Sequence, residues 1–424
     1  MQSPFYHYNS SFNPLDLISK YSVVNLNASK AFLTNFVGLK IAPGYMPECV
    51  RNRVGTVECP PIPANWHTDI AEFGAVLRAV DLTLDNRFIM GEMGCGWGCW
   101  MGISGLVAKK RGLDVKLYGI EGDKKHISWA KENMLNNGFS EKEYAIVEGI
   151  ASATSGKALF PLADKETIHY GLEPIFNASD LEIQKALKNK SHEILPMVPL
   201  EKIFNGESRV DLLHVDIQGG EVDLISGSMD YLSKHVAYLV IGTHSRSIEG
   251  KLIDVLLKNG WILEIERPAI FHMKQSELVT AVDGVQGWRN PELLAEPQRI
   301  NVVVGSKTLR TKFMSWSQEE PTHRWTEGEL CSMEFSIPSN TKVLEKLILK
   351  GFGYGTQRIN LILNGKSIYK TSLTGAPQDI EIHMPSGAFK TGLNKIELEL
   401  PDAKVPDNGD SRKLGFALQE LSIC

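Results

Sequence analysis

Residues 88–98 constrain the fold more than any other part of the chain. They read FIMGEMGCGWG, an apolar run that reaches an acid, Glu92, and continues into glycines at alternate positions, Gly94, Gly96 and Gly98. Glycine permits the positive φ angles of a tight turn and lets the backbone approach a ligand closely. This pattern predicts a buried strand, a tight turn and a helix. Because the first N–H groups of a helix are unpaired, the turn is expected to bind a ligand.

The glycine spacing differs from that of a dinucleotide-binding site. Such a site has G-x-G-x-x-G and a pyrophosphate at the helix N-terminus, whereas this chain has E-x-G-x-G-x-G. The pattern resembles the first motif of class I S-adenosylmethionine-dependent methyltransferases. The resemblance implies that Glu92 lies near the amino-acid end of the cofactor, and that the turn, including Cys95 and Trp97, makes room for it. A glycine-rich surface turn without a ligand is the alternative.

Composition and charge exclude several other classes. The chain has 424 residues, more than one hydrophobic core usually serves, so two domains are expected. A net charge of −5 argues against a broad nucleic-acid-binding face. The six cysteines form no C-x-x-C pair and no zinc-type spacing, which favours reduced thiols in a cytoplasmic protein. No apolar run has membrane-spanning length and no signal-peptide pattern begins the chain, so no membrane span is expected.

The order of the predicted elements divides the chain into four parts. Residues 1–64 mix short apolar pieces with turn formers and end in a proline-rich run, which predicts an irregular N-terminal extension. Residues 65–306 alternate strands and helices, which is typical of an α/β fold with a mainly parallel sheet. Residues 307–326 form a linker. Residues 327–424 alternate with period two, which predicts an antiparallel, jelly-roll-like β-sandwich.

Seven strands are expected in the sheet of the second part, as in a Rossmann-like methyltransferase sheet. The expected strands are 88–91, 115–120, 144–148, 210–217, 236–242, 261–266 and 300–304. A long insertion, residues 152–209, separates the third and fourth strands. Because long loops at strand ends usually carry function, we expect it to shape the acceptor site.

Polar residues follow the predicted strands at the edge of the sheet where ligands bind in doubly wound folds. Glu121 ends the second strand and Gly122 follows it, so one carboxylate could accept hydrogen bonds from two ribose hydroxyls. Glu148, Gly149 and Ile150 end the third strand, where an adenine could lie against the backbone and apolar side chains. We expect all of these residues to bind the cofactor. A solvated surface acid is the alternative for Glu121.

The fourth and fifth strands carry the most specific motifs. D-I-Q-G-G-E occupies residues 216–221, after the fourth strand, and T-H-S occupies residues 243–245, after the fifth. With the helix at 129–137 and the V-P-L-E run at 198–201, these motifs resemble the FkbM family of methyltransferases over residues 66–306. The resemblance implies an S-adenosylmethionine-dependent O-methyltransferase that acts on hydroxyls of sugars or of other small acceptors.

Methyl transfer to a hydroxyl requires an aligned acceptor and removal of a proton, because a neutral hydroxyl is a weak nucleophile. Asp216 and His244 lie at the ends of neighbouring strands. We expect His244 to be the general base and Asp216 to position the acceptor and border the cofactor, with the two roles exchangeable. A structural hydrogen-bonding role is the alternative for His244. No convincing set of clustered carboxylates is evident in the sequence, so no metal is predicted.

Four further residues near these motifs receive weaker assignments. Glu221 could cap its helix or contact the cofactor's amino group, and a structural role is favoured. His214 points opposite to its neighbours within the fourth strand and is expected to be buried structure. Trp66 and His67 precede the sheet and could close over the site.

The sequence therefore predicts a two-domain enzyme that methylates a hydroxyl of a sugar, a polysaccharide or a glycan precursor. Its C-terminal part carries aromatic residues such as Trp316, Trp325 and Tyr369 and resembles β-sandwich modules of bacterial glycan-assembly enzymes, so it would hold the glycan or such an enzyme. Two alternatives stay open. One is a small-molecule (secondary metabolite) O-methyltransferase whose C-terminal part is an oligomerisation surface. The other is a non-catalytic methyltransferase-fold scaffold or glycan-binding protein. The Pro-Pro and Pro-Cys motifs of base methyltransferases are missing from the strand ends, so nucleic acid is not expected as a substrate.

Overall fold

The computed structural model describes residues 8–83, 85–162, 170–274, 277–294, 312–318, 320, 322–337, 346–385, 387–390 and 392–423. The chain divides into two compact units, Met1–Leu294 and Ala295–Cys424. The sequence placed this boundary later, after residue 306. No helix in the described ranges is both long enough and apolar enough to cross a membrane.

The first unit combines a large sheet with helices. Its strands are β1 (Asn9–Ser10), β2 (Leu33–Thr34), β3 (Lys40–Ile41), β4 (Arg87–Met93), β5 (Asp114–Glu121), β6 (Tyr144–Glu148), β7 (Ile150–Ala151), β8 (Gly156–Pro161), β9 (Ile175–Phe176), β10 (His192–Val198), β11 (Leu212–Val215), β12 (Tyr238–Thr243), β13 (Ile262–Arg267), β14 (Ile270–Lys274), β15 (Glu277–Val282) and β16 (Gly284–Arg289). Its helices are α1 (Pro14–Tyr21), α2 (Pro47–Val50), α3 (Ile70–Leu82), α4 (Cys99–Lys110), α5 (Lys124–Asn136), α6 (Asp180–Asn189), α7 (Leu200–Ile203), α8 (Glu221–Gly227), α9 (Met229–His235) and α10 (Arg246–Lys258), with a 3-10 turn at Arg51–Arg53.

The large sheet is mixed and has eight strands in the order β1-β13-β16-β12-β11-β4-β5-β6. Strands β12, β11, β4, β5 and β6 are parallel, whereas β16 is antiparallel to both of its neighbours. The predicted large, mainly parallel sheet is confirmed, but its strand count of seven is wrong, because the two-residue β1 adds an edge strand.

Six of the predicted strands coincide with β4, β5, β6, β11, β12 and β13 to within about two residues at each end. The remaining prediction, 300–304, lies outside the described residues. The sequence missed β16, which is buried between β12 and β13. Its sequence, GVQGWR, contains two glycines and two polar residues, so it lacks the apolar run typical of a central strand.

The N-terminal residues belong to the core of the first unit. Helix α1 begins at the Asn13 side chain, which accepts a hydrogen bond from the Leu15 N–H, and it buries Leu17 and Ile18. Residues of both α1 and β2 join the hydrophobic cluster that covers α3, α4 and one face of the large sheet. The prediction of an irregular extension therefore misses this packing, because elements this short give little periodic signal.

The predicted insertion at 152–209 has its own secondary structure. Strands β8, β9 and β10 form a four-stranded sheet with β7, which directly follows the end of β6. Helix α6 begins with a capping box in which Ser179 and Glu182 bond each other's backbone N–H groups. This arrangement places the insertion beside the carboxyl ends of the large sheet.

The second unit is antiparallel. Its strands are β17 (Lys312–Met314), β18 (Arg324–Glu327), β19 (Leu330–Ile337), β20 (Lys346–Gly353), β21 (Gln357–Leu363), β22 (Lys366–Leu373), β23 (Gln378–His383), β24 (Gly392–Glu399) and β25 (Leu414–Ile423). They form two sheets, β17-β19-β24-β21-β22 and β18-β25-β20-β23. Phe335 of the first sheet and Phe416 of the second belong to one hydrophobic cluster. The antiparallel architecture is as predicted, and the jelly-roll-like course stays a prediction.

Candidate active site

The glycine turn lies between β4 and α4, as the sequence predicts. Gly94, Gly96 and Gly98 have φ angles of 76°, 50° and 74°, which side-chain-bearing residues rarely adopt. A Cβ atom at Gly94 would overlap with the carbonyl oxygen of Asp216. The turn therefore packs directly against the end of β11, and only glycine fits at its first position.

Glu121 joins the end of β5 to this turn. Its carboxylate accepts hydrogen bonds from the backbone N–H groups of Gly96 at 2.8 Å, Gly122 at 2.8 Å and Asp123 at 2.9 Å. A carboxylate has about four acceptor positions. Glu121 is thus fixed by the backbone and keeps capacity for a hydroxyl donor.

A small cavity of ≈ 140 Å³ lies beside Glu121. Seven of the residues predicted to bind the cofactor line it: Gly94, Gly96, Glu121, Gly122, Gly149, Ile150 and Asp216. The structure thus brings together residues from the ends of four neighbouring strands. It does so at the edge of the sheet where the sequence placed a ligand.

Two aromatic rings that the sequence did not suggest also line the small cavity. His126 of α5 and Tyr170 of the insertion stack with ring centroids 4.5 Å apart and an interplanar angle of 10°. The Tyr170 hydroxyl donates a hydrogen bond of 2.8 Å to the carbonyl oxygen of Tyr45. Since Tyr170 comes from the insertion, no strand-end signal in the sequence could have identified it.

A larger cavity of ≈ 730 Å³ adjoins the small one. The two share five lining residues: Gly94, Gly96, Tyr170, Asp216 and Gln218. The remaining lining of the larger cavity includes Glu92, Cys95 and Trp97, which the sequence assigned to the cofactor. The glycine turn and Asp216 therefore lie where the two cavities meet.

Glu92 is buried in the wall of the larger cavity, at 3% exposure. Its carboxylate accepts hydrogen bonds from the N–H groups of Met101 at 2.8 Å and Trp100 at 3.3 Å, in the first turn of α4. Burial raises the pKa of Glu92 to about 7, although these N–H groups and the nearby His214 favour the ionised form. Glu92 therefore titrates close to neutral pH.

Two predicted cofactor residues line neither cavity. Gly98 precedes α4 and packs against Ala130 and Met134 of α5. Glu148 ends β6, the edge strand of the sheet, where its half-exposed side chain lies 3.5 Å from the Lys124 amine. Direct contact of Gly98 and Glu148 with a cofactor stays a prediction that this geometry does not support.

His244 lies between two carboxylates. Its Nε2 is 3.2 Å from an Asp216 oxygen and its Nδ1 is 2.7 Å from a Glu221 oxygen. Burial alone would lower the pKa of His244, but the hydrogen bonds to Asp216 and Glu221 outweigh it and raise the pKa to about 10. Both ring nitrogens then donate, so neither offers a lone pair. This arrangement argues against His244 as the general base.

The loop after β11 produces this arrangement. Gln218 and Gly219 both have positive φ angles, 57° and 97°, which turn the chain sharply before α8. The Gly219 N–H donates to a Glu221 oxygen at 3.1 Å. Gly242 at the end of β12 leaves room for the Asp216 side chain. The sequence correctly predicted that Asp216 and His244 lie together. The contact of Glu221 with His244 depends on the conformation of this loop, which the sequence motif did not reveal.

His67 lies in the wall of the larger cavity and is partly exposed. Burial lowers the pKa of His67, and the neighbouring His214 lowers it further, whereas Glu72 and Asp216 oppose the shift. Its Nδ1 is 3.9 Å from the Cys99 thiol, and in the described part of the chain its Nε2 has no hydrogen-bond partner. His67 is therefore neutral near pH 7 and could accept a proton. The sequence predicts no chemical role for His67, because this residue precedes the sheet.

His214 is buried, as expected from its position in the fourth strand. Its Nε2 lies 3.0 Å from a Glu72 oxygen, and its ring stacks on Trp100 with centroids 5.3 Å apart. The other oxygen of Glu72 accepts a hydrogen bond from the Thr68 hydroxyl. This network fixes the floor of the larger cavity.

The site combines a glycine turn held by a strand-end acid with an acid and a histidine at the ends of the neighbouring strands. This combination defines a methyltransferase-type site, and comparison with known proteins agrees. The model of the methyltransferase FkbM domain matches residues 98–261. A protein of Jannaschia sp. (strain CCS1), named as a methyltransferase, is 43% identical over 266 residues, which cover 63% of this chain and 95% of the relative. The chain therefore belongs to the FkbM methyltransferase family, and the resemblance in its sequence is confirmed.

Solved structures give lower similarity. Methyltransferase FkbM from Methylobacillus flagellatus KT is 12% identical with a TM-score of 0.32, and the match covers 52% of this chain and 54% of that chain. The CBM36-1 domain of a multidomain xylanase from the hindgut metagenome of Trinervitermes trinervoides is 14% identical with a TM-score of 0.19, covering 27% of this chain and 96% of that domain.

Proposed function

We propose that the chain is a cytoplasmic S-adenosylmethionine-dependent O-methyltransferase that acts on a hydroxyl of a sugar, a polysaccharide or a glycan precursor. One observation carries the proposal. Two cavities meet at the glycine turn and Asp216, and they differ in the residues that line them. The small cavity suits a nucleoside, and the larger cavity, whose wall includes charged side chains, suits the acceptor.

The residues of the turn fit the cofactor. Without side chains, Gly94 and Gly96 leave the backbone accessible beside the fixed carboxylate of Glu121, which can accept from ribose hydroxyls. Ligand pockets usually have about 300–1,000 Å³, so the small cavity of ≈ 140 Å³ would hold only part of the cofactor. The remainder would extend past the turn to Glu92, Cys95 and Trp97. When bound, S-adenosylmethionine supplies a methyl group on a positively charged sulfur that leaves as a neutral thioether.

The larger cavity suits a hydroxyl-rich acceptor. Its wall contains the Asp69–Arg267 ion pair, Glu72 and Asp283, which can donate or accept hydrogen bonds. Trp100 also borders it, and aromatic rings pack well against the apolar faces of sugars. This mixture supports a sugar over a purely apolar metabolite.

His67 and Asp216 have complementary roles in the proposed reaction. The Asp216 carboxylate borders both cavities and positions the acceptor hydroxyl where they meet. His67, the neutral imidazole of the larger cavity, takes up the proton that the hydroxyl loses as its oxygen bonds to the methyl carbon. His244 holds Asp216 in place. This assignment keeps Asp216 in the role that the sequence suggested and moves the base from His244 to His67.

Two measurements on the full chain test the proposal. Isothermal titration with S-adenosylmethionine should show one binding site. Incubation with S-adenosylmethionine carrying a labelled methyl group should then label sugars, oligosaccharides or extracted cell-surface glycans, and should leave phenolic hydroxyl compounds unlabelled. Absence of cofactor binding would remove the proposal. Labelling of the phenolic compounds alone would favour the small-molecule alternative, and binding without any transfer would favour a scaffold.

We also propose that the second unit holds the glycan acceptor or a glycan-assembly enzyme. Support comes from Tyr369 on the edge strand β22, whose side chain is partly exposed (37%). Trp316 is less suitable, because its indole N–H is engaged with the carbonyl oxygen of Ser332 at 3.1 Å. Tyr369→Ala should weaken polysaccharide retention in affinity electrophoresis and leave S-adenosylmethionine affinity unchanged. Unchanged retention would remove Tyr369 from glycan binding.

A further inference from the structure

Asp216, Glu221 and His244 form a cluster of possible metal ligands. Each can offer one ligand atom, and the three atoms lie within 4.8 Å of one another. Around one ion with bond lengths of about 2.1–2.2 Å, ligand atoms are at most ~4.4 Å apart. Because the two carboxylates approach different ring nitrogens of His244, one ion would bind one of these nitrogens after the ring has turned to face both carboxylates.

Glu221 shows that the cluster is incomplete without a further positive partner. Its side chain is fully buried, at 0% exposure. One carboxylate oxygen accepts from His244 and from the Gly219 N–H, whereas the other oxygen is buried without a hydrogen-bond partner among the described residues. A buried carboxylate oxygen left unpaired is costly. A cation bound at this oxygen would remove that cost.

The charges of the cluster match a divalent cation. Asp216 and Glu221 contribute two negative charges to the cluster. When a cation binds, His244 releases one ring proton to solvent and becomes a neutral nitrogen ligand. Two carboxylates then balance the double positive charge. Carboxylate and imidazole together are ligands of first-row divalent cations such as Zn²⁺ and Mn²⁺.

We propose that Asp216, Glu221 and His244 bind a divalent cation, for which Mn²⁺ serves as the probe. Its catalytic role rests on the proposed function. Asp216 is the member of the cluster that lines both cavities, so a cation on this residue would face the bound molecules. There it holds the acceptor oxygen and lowers the pKa of the hydroxyl as a Lewis acid, while His67 still receives the proton.

Titration of the EDTA-treated full chain with Mn²⁺, followed by the electron paramagnetic resonance of free Mn²⁺, tests the site. One equivalent should bind. Asp216→Asn, Glu221→Gln and His244→Gln should each weaken Mn²⁺ binding by at least about 10-fold. Asp223→Asn is the matched control, because Asp223 is an exposed acid on the same helix, α8, and should leave binding unchanged.

Two results would overturn the site: no binding of Mn²⁺, Mg²⁺ or Zn²⁺ by the wild-type chain, or equal Mn²⁺ affinity in the three variants and the control. Circular dichroism identifies any variant that has lost its fold. The wild-type chain alone tests the catalytic role of the cation. EDTA should lower methyl transfer at least 10-fold and Mn²⁺ should restore it, whereas S-adenosylmethionine affinity should not change. Transfer insensitive to EDTA would overturn the catalytic role. Absent cofactor binding would instead defeat the proposed function, and the Mn²⁺ titration would still decide the metal site.

Discussion

The carboxylate of Glu121 accepts a hydrogen bond of 2.8 Å from the backbone N–H of Gly96. The bond links the end of β5 to the turn that follows β4, so the acid and the glycines share one wall of the small cavity. A substitution at either position should therefore affect the same ligand. The consequences differ, because Glu121 acts through its side chain and the glycines through their backbone.

Glu121→Gln should weaken S-adenosylmethionine binding about 10- to 100-fold. The amide has one acceptor oxygen and no charge, so it cannot serve three backbone N–H groups and a ribose hydroxyl, and hydrogen bonds to a charged group contribute about 1.5–3 kcal/mol each. Isothermal titration measures the change. Glu141→Gln is the control, because Glu141 is an exposed acid just before β6. Equal dissociation constants for the two variants would show that Glu121 does not contact the cofactor.

Gly94→Ala should both destabilise the chain and impair cofactor binding. A side chain at φ 76° costs about 1–2 kcal/mol, and its Cβ would also overlap with the Asp216 carbonyl oxygen. Gly112→Ala separates the two effects, since Gly112 has φ 81° but no heavy atom of the described chain lies within 4 Å of a Cβ placed there. We expect both variants to lower the free energy of unfolding in urea, and Gly94→Ala to lower it more.

Only the Gly94 variant should also weaken S-adenosylmethionine binding, by at least about 10-fold, or about 1.4 kcal/mol. A Gly94→Ala chain that binds the cofactor as tightly as wild type would show that close packing of the turn against Asp216 is not needed for the site.

Stability should depend on pH through Glu92. Burial raises the pKa of Glu92 to about 7, above its ordinary value of 4.5, so the folded chain holds this proton more tightly than the unfolded chain. The resulting stabilisation is complete below about pH 4.5 and is lost as the pH rises through 7, which amounts to about 3 kcal/mol. His214 and Asp216 face the same group, the first favouring the ionised form and the second opposing it.

Urea unfolding of Glu92→Gln at pH 5, 6, 7 and 8 checks this dependence. The variant cannot titrate at this position, so the decline seen in the wild-type chain should become shallower. Glu132→Gln, which changes an exposed acid on α5, should keep the wild-type slope. Parallel slopes for Glu92→Gln and wild type would contradict a raised pKa at Glu92.

The sequence could predict those parts of the site whose positions depend on neighbouring residues in the chain. The glycine turn and Glu121 directly follow buried strands, and the end of a parallel strand fixes where the next residues lie. Tyr170 and His67 come from segments outside the sheet, so their positions depend on packing across long sequence separations. The pairing of His244 with Glu221 depends on the positive φ angles of the loop after β11, which no periodic pattern encodes.

The same reasoning explains the strand that the sequence missed. Strand β16 lies between β12 and β13, where an apolar run is expected, yet it carries Gly284, Gln286 and Gly287. Lack of space for a side chain explains the two glycines. A Cβ at Gly284 would overlap with the side chains of Glu249 and Thr243, and one at Gly287 would lie 2.6 Å from a methyl carbon of Ile265. Gln286 is buried, and its amide N–H donates to the Glu249 carbonyl oxygen at 3.4 Å. Tertiary contacts thus override the local pattern.

The pH profile of methyl transfer should identify the proton acceptor. Burial lowers the pKa of His67 from its ordinary value of 6.5, so the neutral imidazole predominates at pH 7 and kcat/KM should rise with pH through an acidic limb to a plateau. The groups that face His67 are Glu72 and Asp216, which raise its pKa, and His214, which lowers it, with the Cys99 thiol 3.9 Å from Nδ1.

His67→Gln should lower kcat by at least about 100-fold and remove the acidic limb. S-adenosylmethionine affinity should stay unchanged, and His192→Gln, on β10, should behave as wild type. An acidic limb that persists in His67→Gln would assign the titration to another group and leave His67 as a wall of the acceptor cavity.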